Sequence, residues 1–115
     1  MPVADGSYTF RSPGRSFAAE VKRTADGYVT VRTAQGCLEV RGGKLTLNVP
    51  LEPGVEATPQ ACDAQSTLQR WQLEAVAGGY RLVNAITRMA LSVTEDGRLV
   101  QYPPDRRTPA VWHLT

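Results

Sequence analysis

The sequence predicts an all-β fold built from three repeated units, and two observations carry this prediction. Three segments that open in a similar way begin at Tyr8, Lys44 and Tyr80, so that the same spacing of 36 residues occurs twice. Short runs rich in β-branched and aromatic residues alternate with turn residues, and no segment shows helical periodicity over the length of a helix. A repeat of this length is typical of proteins built from stacked or symmetric units.

The three units cover residues 8–43, 44–79 and 80–115, and together they form a single domain over residues 1–115. Each unit has room for four short strands, which gives twelve strands in total. Twelve strands in three units predict a β-trefoil, a six-stranded barrel closed at one end by three hairpins. A closed barrel leaves no open sheet edge at which strands of different chains can aggregate.

The predicted strands are short and separated by turn residues. They lie at Tyr8–Arg11, Phe17–Val21, Tyr28–Arg32, Cys37–Val40, Leu45–Val49, Tyr80–Val83, Ala90–Val93, Arg98–Tyr102 and Val111–Leu114. Asp-Gly pairs at 26–27 and 96–97 predict tight hairpin turns, because both residue types tolerate a positive φ angle. With one gap of two residues, the first unit superposes on the third. The second unit fits less well, because residues 51–67 have weak strand character.

Composition and charge exclude several functions. The net charge is +2, from 13 basic and 11 acidic residues spread along the chain, whereas nucleic-acid binding needs a concentrated basic surface. The densest basic cluster is Arg106-Arg107, so we expect no nucleic-acid partner. No apolar run reaches the length of a membrane span. The first residues lack the basic and apolar regions of a signal peptide, which predicts a cytoplasmic protein or the mature form of a secreted one.

Signatures of catalysis and of metal binding are absent from the sequence. The only histidine, His113, lies in a predicted strand beside Trp112, where a packing or surface role explains it. The sequence contains no nucleophile motif, no phosphate-binding glycine loop and no zinc-ligand spacing. We therefore expect a protein that is not an enzyme and that holds neither a cofactor nor a metal.

The fourth strands of the units share a motif. Gln69-Arg70-Trp71 is a complete Gln-x-Trp, Ala110-Val111-Trp112 keeps the tryptophan, and Gln35-Gly36-Cys37 keeps the glutamine. In phase with the 36-residue repeat, this pattern resembles the Gln-x-Trp repeat of the ricin-type β-trefoil lectins over nearly the whole chain. The resemblance implies that Trp71 and Trp112 pack in the barrel core. It also implies a non-catalytic protein that binds a glycan, such as a galactose-type sugar.

In these lectins a sugar site combines an acidic residue, an aromatic residue and an asparagine from one unit. The resemblance places the acidic position at Glu20, Glu56 and Ser92 in the three units. It places the aromatic position at Arg32 in the first unit and at Tyr102 in the third. The asparagine position holds Ala34, Leu68 and Pro109. No unit therefore keeps all three elements, and the resemblance implies eroded sugar sites.

The third unit is the best candidate for a remaining sugar site. Its proline-rich loop places Tyr102 and Asp105 close together, and Asp96 on the adjacent hairpin can supply the carboxylate that the acidic position lacks. We predict carbohydrate binding at these three residues, with Glu20 and Glu56 as further candidates. The competing interpretation is that Asp96 serves only the hairpin turn and that the two glutamates are solvated strand residues.

Two registers remain open for the second unit. The segment Cys37–Val40 also resembles the Cys-Leu-Asp-Val strand of the lectin repeat, and in that register Cys37 would form a disulfide with Cys62. That register leaves the first unit too short for four strands. We therefore favour the 36-residue register, in which Cys37 occupies the place of a tryptophan. The two cysteines are then small buried side chains that are not partners.

A second function stays open beside the lectin hypothesis. β-Trefoils also serve as protein-binding domains, such as protease inhibitors, so the fold alone does not decide the function. The loops at 49–59 and 102–109 are bounded by prolines, as in rigid inhibitor loops, and loops commonly carry function on such scaffolds. The missing aromatic and asparagine elements favour a protein partner, whereas the Gln-x-Trp motif favours a glycan.

Overall fold

The computed structural model describes residues 5–40, 54–103 and 110–115. Within these residues it contains ten β-strands and one short 3₁₀ turn at Thr67–Gln69. The strands are β1 (Gly6–Ser12), β2 (Arg15–Arg23), β3 (Val29–Thr33), β4 (Gly36–Val40), β5 (Ala57–Gln60), β6 (Trp71–Val76), β7 (Gly79–Asn84), β8 (Ala90–Val93), β9 (Leu99–Tyr102) and β10 (His113–Leu114). The predicted strand Leu45–Val49 lies outside the described residues.

The strands form one continuous antiparallel system. Their order is β10-β1-β2-β3-β6-β7-β8-β9, and β4 pairs with β3 on one side and with β5 on the other. The last described segment pairs with β1, because the backbones of Thr9 and Thr115 exchange hydrogen bonds of 3.0 and 3.1 Å. The bridge between Tyr80 and Trp112 ties the last segment to β7 as well. This closure satisfies strand edges that would otherwise be open.

The core is apolar and is supplied by alternate residues of the strands. In β1 and β2 the side chains of Phe10, Ala19 and Val21 are buried, while their neighbours along each strand are more exposed. This alternation places one face of each strand on the core. Phe10 stacks on Phe17 with ring centroids 5.0 Å apart, and Trp112 meets Phe17 edge-on at 5.3 Å. Both tryptophans are fully buried, as the resemblance implies.

The two tryptophans make the same contact in different units. The indole Nε1 of Trp71 donates a hydrogen bond of 3.0 Å to the carbonyl of Leu38, and that of Trp112 donates one of 3.1 Å to the carbonyl of Leu91. Leu38 and Leu91 therefore occupy equivalent positions in their units. Cys37 precedes Leu38, so it corresponds to the residue before Leu91 and not to a tryptophan. The placement of Cys37 at a tryptophan position is wrong.

Cys37 and Cys62 form a disulfide, with Cα atoms 5.0 Å apart. The prediction that the two cysteines are not partners is therefore wrong, and the register that pairs them is the one the structure adopts. The reason lies in β5, which pairs with β4 so that Gln60 faces Cys37 and brings Cys62 within reach. Residues 51–67 have weak strand character because they contain two prolines and three alanines, yet part of this stretch forms a strand.

Two hairpin turns confirm that the first and third units superpose. In the turn from Thr24 to Tyr28, the Thr24 amide donates to the Tyr28 carbonyl at 2.9 Å, and the Tyr28 amide donates to the Thr24 hydroxyl at 3.1 Å. Thr94 and Arg98 form the same pair of bonds, both at 2.9 Å. In each turn the threonine hydroxyl also bonds the aspartate that precedes the glycine.

The glycine of each Asp-Gly turn has a backbone conformation that other residues rarely adopt. Gly27 has a φ of 88° and Gly97 a φ of 84°. A side chain at such an angle is strained, whereas glycine has no Cβ and adopts it freely. The Asp-Gly pairs therefore fix both hairpins in the way that the sequence predicts.

Candidate functional site

The candidate site is centred on a carboxylate in β4. The Glu39 side chain is half-buried, and its Oε1 accepts two hydrogen bonds of 3.0 Å, one from the Gln69 amide Nε2 and one from the Ser66 hydroxyl. Both donors come from the segment just before Trp71. Both donors are neutral groups, and together they fix the orientation of the carboxylate.

Both the nitrogen and the oxygen of the Gln69 side-chain amide form hydrogen bonds. Gln69 is only 2% exposed, its Nε2 donates a second bond of 2.8 Å to the Ala61 carbonyl, and its Oε1 accepts one of 2.9 Å from the Asp63 amide. Both hydrogens of the Gln69 amide are therefore used. A buried polar group with all its bonds made is rigid, since any movement leaves an unsatisfied group. Gln69 thus fixes Glu39 in one position.

The chain between Cys62 and Trp71 is shaped by local hydrogen bonds. Asp63 accepts bonds from the Gln65 amide through its side chain at 2.9 Å and from the Ser66 amide through its carbonyl at 3.0 Å. Such turns are typical of aspartate. The disulfide fixes one end of this segment, and the buried Trp71 fixes the other. Ser66 and Gln69 are therefore presented to Glu39 by a segment that is tied at both ends.

β5 supplies further polar groups beside Glu39. Thr58 lies directly opposite Glu39 in the β4–β5 pair, so the two side chains share a face of the sheet. Gln60, two residues further on, lies on the same face and donates a bond of 2.9 Å to the Thr58 hydroxyl. A fixed carboxylate with hydroxyl and amide groups around it can bind vicinal hydroxyls of a ligand through paired hydrogen bonds.

Glu56 and Asp96, which the sequence predicts as sugar-binding residues, both form ion pairs with Arg98. The Arg98 guanidinium lies 3.0 Å from Asp96 Oδ2 and 3.2 Å from Glu56 Oε1. Hydrogen bonds from Thr94 and from Arg98 lower the pKa of Asp96 below its ordinary value of 3.8. The same contact with Asp96, together with Glu56, raises the pKa of Arg98. Both carboxylates therefore already have a cationic partner.

Asp96 and Tyr102 do not lie together. Val93 faces Leu99 and Ala90 faces Tyr102 in the β8–β9 pair, so the turn that carries Asp96 is at one end of this hairpin and Tyr102 at the other. Asp105 lies outside the described residues. The structure therefore separates two of the three side chains that the sequence combines in a third-unit site.

Glu20 and Ser92 are the other two positions that the sequence assigns as acidic positions. Glu20 is exposed on β2, faces Arg32 across the sheet, and makes no hydrogen bond or ion pair with the described residues. Ser92 is buried, and its hydroxyl donates to the Ala90 carbonyl at 3.1 Å. A buried serine of this kind cannot serve a ligand from solvent. The third unit therefore offers no group at its acidic position.

Glu39 is the functional candidate that the sequence prediction does not include. The 36-residue register assigns the acidic position of the second unit to Glu56, whereas the tryptophan contacts make Leu38 equivalent to Leu91. The acidic position is then the residue after Leu38, which is Glu39. The signal was present in the sequence, because Ala19-Glu20-Val21 and Leu38-Glu39-Val40 share the same pattern.

Other kinds of site find no support in the described residues. No group of three or more histidine, cysteine, aspartate or glutamate side chains there is arranged to hold a metal ion. Among the same residues, no helix has the length and apolarity needed to cross a membrane. Of the loops at 49–59 and 102–109, proposed as inhibitor-like, residues 49–53 and 104–109 lie outside the described ranges.

Comparisons with solved structures place the fold. The structure of the designed 3-fold symmetric protein ThreeFoil is similar to that of this chain, with a TM-score of 0.77 and 16% sequence identity. The match covers 96% of this chain and 99% of ThreeFoil. The chain is a β-trefoil, so the predicted all-β fold class is confirmed. No protein-family model matches the sequence, and a search of curated proteins finds no relative.

Two lectins have similar structures. The Polyporus squamosus lectin, bound to the human-type influenza-binding epitope Neu5Acα2-6Galβ1-4GlcNAc, matches 99% of this chain with a TM-score of 0.69 and 11% identity. This chain spans only 50% of that lectin. SeviL, bound to the asialo-GM1 saccharide, is similar with a TM-score of 0.60 and 17% identity, and the match covers 97% of this chain and 98% of the SeviL chain. At such identities the likeness concerns the fold.

Proposed function

We propose that this protein is a non-catalytic carbohydrate-binding β-trefoil module whose main sugar site is centred on Glu39. The observation that carries the proposal is the fixed carboxylate, which accepts bonds from the buried Gln69 and from Ser66 at 3.0 Å. Preorganised acceptors bind hydroxyl groups without a further loss of conformational freedom. The lectin resemblance adds support, because it assigns an acidic residue to this position of the unit.

The ligand class follows from the groups around Glu39. The site presents one negative charge together with neutral hydroxyl and amide groups of Thr58, Gln60 and Ser66. This arrangement favours a neutral sugar with vicinal hydroxyls, such as a galactose-type sugar, over a sialylated or sulfated one. Gln60 occupies the strand position where an aromatic ring would stack on the sugar, so we expect weak binding, with a Kd of roughly 1 mM at a single site.

Weak single sites become useful when several act together. A glycan surface that presents many copies of a sugar, or a protein that carries several such modules, gains affinity through effective concentration. The proposed module is therefore suited to multivalent surfaces rather than to free monosaccharides. A protein partner remains the alternative, but no contact among the described residues favours it over a glycan.

Glycan binding is tested on an array of neutral and acidic glycans with the wild-type protein and two variants. Glu39→Gln keeps the shape of the side chain but removes the charge, and we expect it to weaken binding about tenfold, as the loss of one charge-assisted hydrogen bond does. Glu56→Gln is the matched control, because Glu56 is a half-exposed glutamate whose partner is Arg98. Equal binding by wild type and Glu39→Gln, or no glycan binding at millimolar sugar, would contradict the proposal.

A further inference from the structure

The outer face of β1, β2 and β3 is a flat polar surface. Because Phe10, Val21 and Val31 point into the core, the alternate residues of these strands point outward. The strand register places these outward side chains next to one another, since residues directly opposite in an antiparallel pair share a face. The outward residues are Ser7, Thr9 and Arg11 on β1, Ser16, Ala18, Glu20 and Lys22 on β2, and Thr30 and Arg32 on β3.

Three cations on this face have no partner among the residues that the structure describes. Arg11, Lys22 and Arg32 are exposed, and their side chains make no hydrogen bond or ion pair with the described residues. Elsewhere in the described residues, four arginines are paired with carboxylates: Arg23, Arg70, Arg81 and Arg98. Glu20 is the one acidic side chain among the outward residues, so the face carries a net charge of +2 from three cations and one anion.

The cations are spread along the face rather than gathered at one point. Arg11 lies opposite Ser16, and Lys22 is six residues further along β2, which corresponds to about 20 Å of strand. Arg32 lies on the neighbouring strand β3, directly opposite Glu20, whereas Lys22 lies opposite Thr30 in the same strand pair. Charges at such intervals on a rigid sheet suit an extended polymer with regularly spaced anions better than a single small ion.

A shallow groove lies on this face, and neither Arg11 nor Arg32 lines it directly. It has a volume of about 350 Å³, and its lining includes Ser7, Tyr8, Thr9, Ala18, Ala34 and Thr115. Thr9 is two residues from Arg11, and Ala34 is two residues from Arg32, so a cation lies close to each side of the groove. Small side chains leave room for a sugar ring, and the serine and threonine hydroxyls can bond its hydroxyl groups.

We infer that this face binds an acidic polysaccharide, one in which sulfate or carboxylate groups recur along a chain of sugars. The groove receives a sugar ring, and Arg11, Lys22 and Arg32 contact the anionic groups. Arginine is suited to this role because its planar guanidinium forms paired hydrogen bonds with sulfate or carboxylate oxygens. This site is separate from Glu39, whose negative charge disfavours such a ligand.

Nucleic acid fits this face less well than an acidic polysaccharide. Proteins that bind single strands stack bases on exposed aromatic rings, whereas the outward residues of β1, β2 and β3 include no aromatic side chain, and Tyr8, which also lines the groove, is partly buried against the core. The same residues include no large apolar side chain that could enter a membrane. The hydroxyl groups along the groove favour a sugar polymer.

The inference is tested by measuring the Kd of the protein for dextran sulfate and for polygalacturonate, with neutral dextran as the uncharged reference. We expect binding to an acidic polymer that weakens as salt is raised, and no binding to neutral dextran. The two acidic polymers distinguish a sulfate ligand from a carboxylate ligand. Arg11→Gln and Arg32→Gln are each expected to raise the Kd about fivefold, as the loss of one charge-assisted contact does.

Two further variants make the test specific. Arg88→Gln is the matched control, because Arg88 is exposed and unpaired among the described residues but lies on the 85–89 loop. It should change the Kd by less than about twofold, which is the general effect of lowering the net charge by one. Glu20→Gln removes the anion of the face and should tighten binding. Glu39→Gln should likewise change the Kd by less than about twofold, which separates this site from the proposed neutral-sugar site.

Several results would overturn the inference. One is the absence of binding to either acidic polymer at low salt. The others are an equal rise of the Kd in Arg88→Gln and Arg32→Gln, and a higher Kd in Glu20→Gln. Equally tight binding of an oligothymidylate or of phosphatidylserine vesicles through Arg11 and Arg32 would also overturn it, because the partner would then be a nucleic acid or a membrane. The three outward positions are exposed, so the variants are expected to fold, and thermal unfolding by circular dichroism checks this.

Discussion

Gln69 donates a hydrogen bond of 3.0 Å to Glu39, a residue that lies 30 positions earlier in the chain. Gln69 begins the Gln-x-Trp motif, and two residues later the indole of Trp71 bonds the carbonyl of Leu38, the neighbour of Glu39. One short motif therefore binds both the backbone and the side chain of β4. This double contact links the barrel core to the candidate site.

The first prediction concerns Gln69. Gln69→Leu removes its hydrogen bonds to Glu39, Ala61 and Asp63, so the Ala61 carbonyl and the Asp63 amide lose these bonds and Glu39 keeps only the bond from Ser66. We expect the free energy of unfolding to fall by about 1–3 kcal/mol, which is the usual cost of leaving a buried polar group unsatisfied. We also expect sugar binding to weaken, because Glu39 loses its fixed orientation. Urea unfolding and the glycan array measure the two effects separately.

Gln72→Leu is the matched control for this prediction, because Gln72 lies in the same strand region but is exposed. It should change the free energy of unfolding by less than about 0.5 kcal/mol. Similar losses of stability in the two variants would show that the hydrogen bonds of Gln69 do not support the site.

The second prediction concerns the disulfide. Replacing both Cys37 and Cys62 by serine should lower the free energy of unfolding by about 3 kcal/mol, because the bridge closes a loop of 25 residues in the unfolded chain. The wild-type protein, denatured without reductant, should release no thiols to a thiol reagent. Two free thiols per chain under these conditions would contradict the bridge.

The third prediction concerns the tryptophan contacts. Trp112→Phe keeps an aromatic ring in the core but leaves the Leu91 carbonyl without its donor at 3.1 Å. We expect a loss of about 1–3 kcal/mol in the free energy of unfolding, and Trp71→Phe should cost a similar amount through Leu38. A large difference between the two losses would argue against the equivalence of Leu38 and Leu91.

The fourth prediction concerns acid. A hydrogen bond from Thr24, aided by Arg70, lowers the pKa of Asp26, and contacts with Thr94 and Arg98 lower that of Asp96. A carboxyl whose pKa is lower in the folded state stabilises the fold above its unfolded pKa of about 3.8 and loses this effect as the pH falls through the folded value. The free energy of unfolding should therefore fall as the pH drops below about 4.

Chemical denaturation between pH 2 and 6 measures this dependence. The double variant Asp26→Asn, Asp96→Asn should show a flatter pH profile below pH 4 than the wild type. Glu95→Gln removes a charge from the same turn as Asp96 and serves as the control, since Glu95 bonds none of the described residues. Superimposable profiles for the wild type and the double variant would show that the two turns do not contribute.

Much of the fold could be predicted because short stretches of sequence determine the turns and the buried faces of the strands. The Asp-Gly turns specify two hairpins, and the alternation around Phe10 and Val21 specifies which face of each strand is buried. Trp71 and Trp112 mark core positions because their size and apolar surface require burial. These features depend on neighbours in the sequence, so one sequence is enough to identify them.

The candidate site could not be predicted in the same way, because it depends on contacts between distant residues. β5 contains Pro59 and little β-branched character, and its pairing with β4 is visible only in the folded chain. The register of the second unit then depends on that pairing, and a shift of register moves the acidic position from Glu56 to Glu39. Spacing alone favours the regular 36-residue repeat, whereas the disulfide and the indole bonds follow the other register.

The most direct measurement is a titration of the isotope-labelled protein with a galactose-type disaccharide, followed by two-dimensional amide NMR. Binding at the proposed site should shift the amide signals of Glu39, Thr58, Gln60 and Ser66 in a saturable way, with little change at Asp96 or Tyr102. Glu39→Gln should raise the Kd obtained from these shifts about tenfold while the rest of the spectrum stays unchanged. Saturable shifts confined to residues 96–102, or no shifts at millimolar sugar, would contradict a sugar site centred on Glu39.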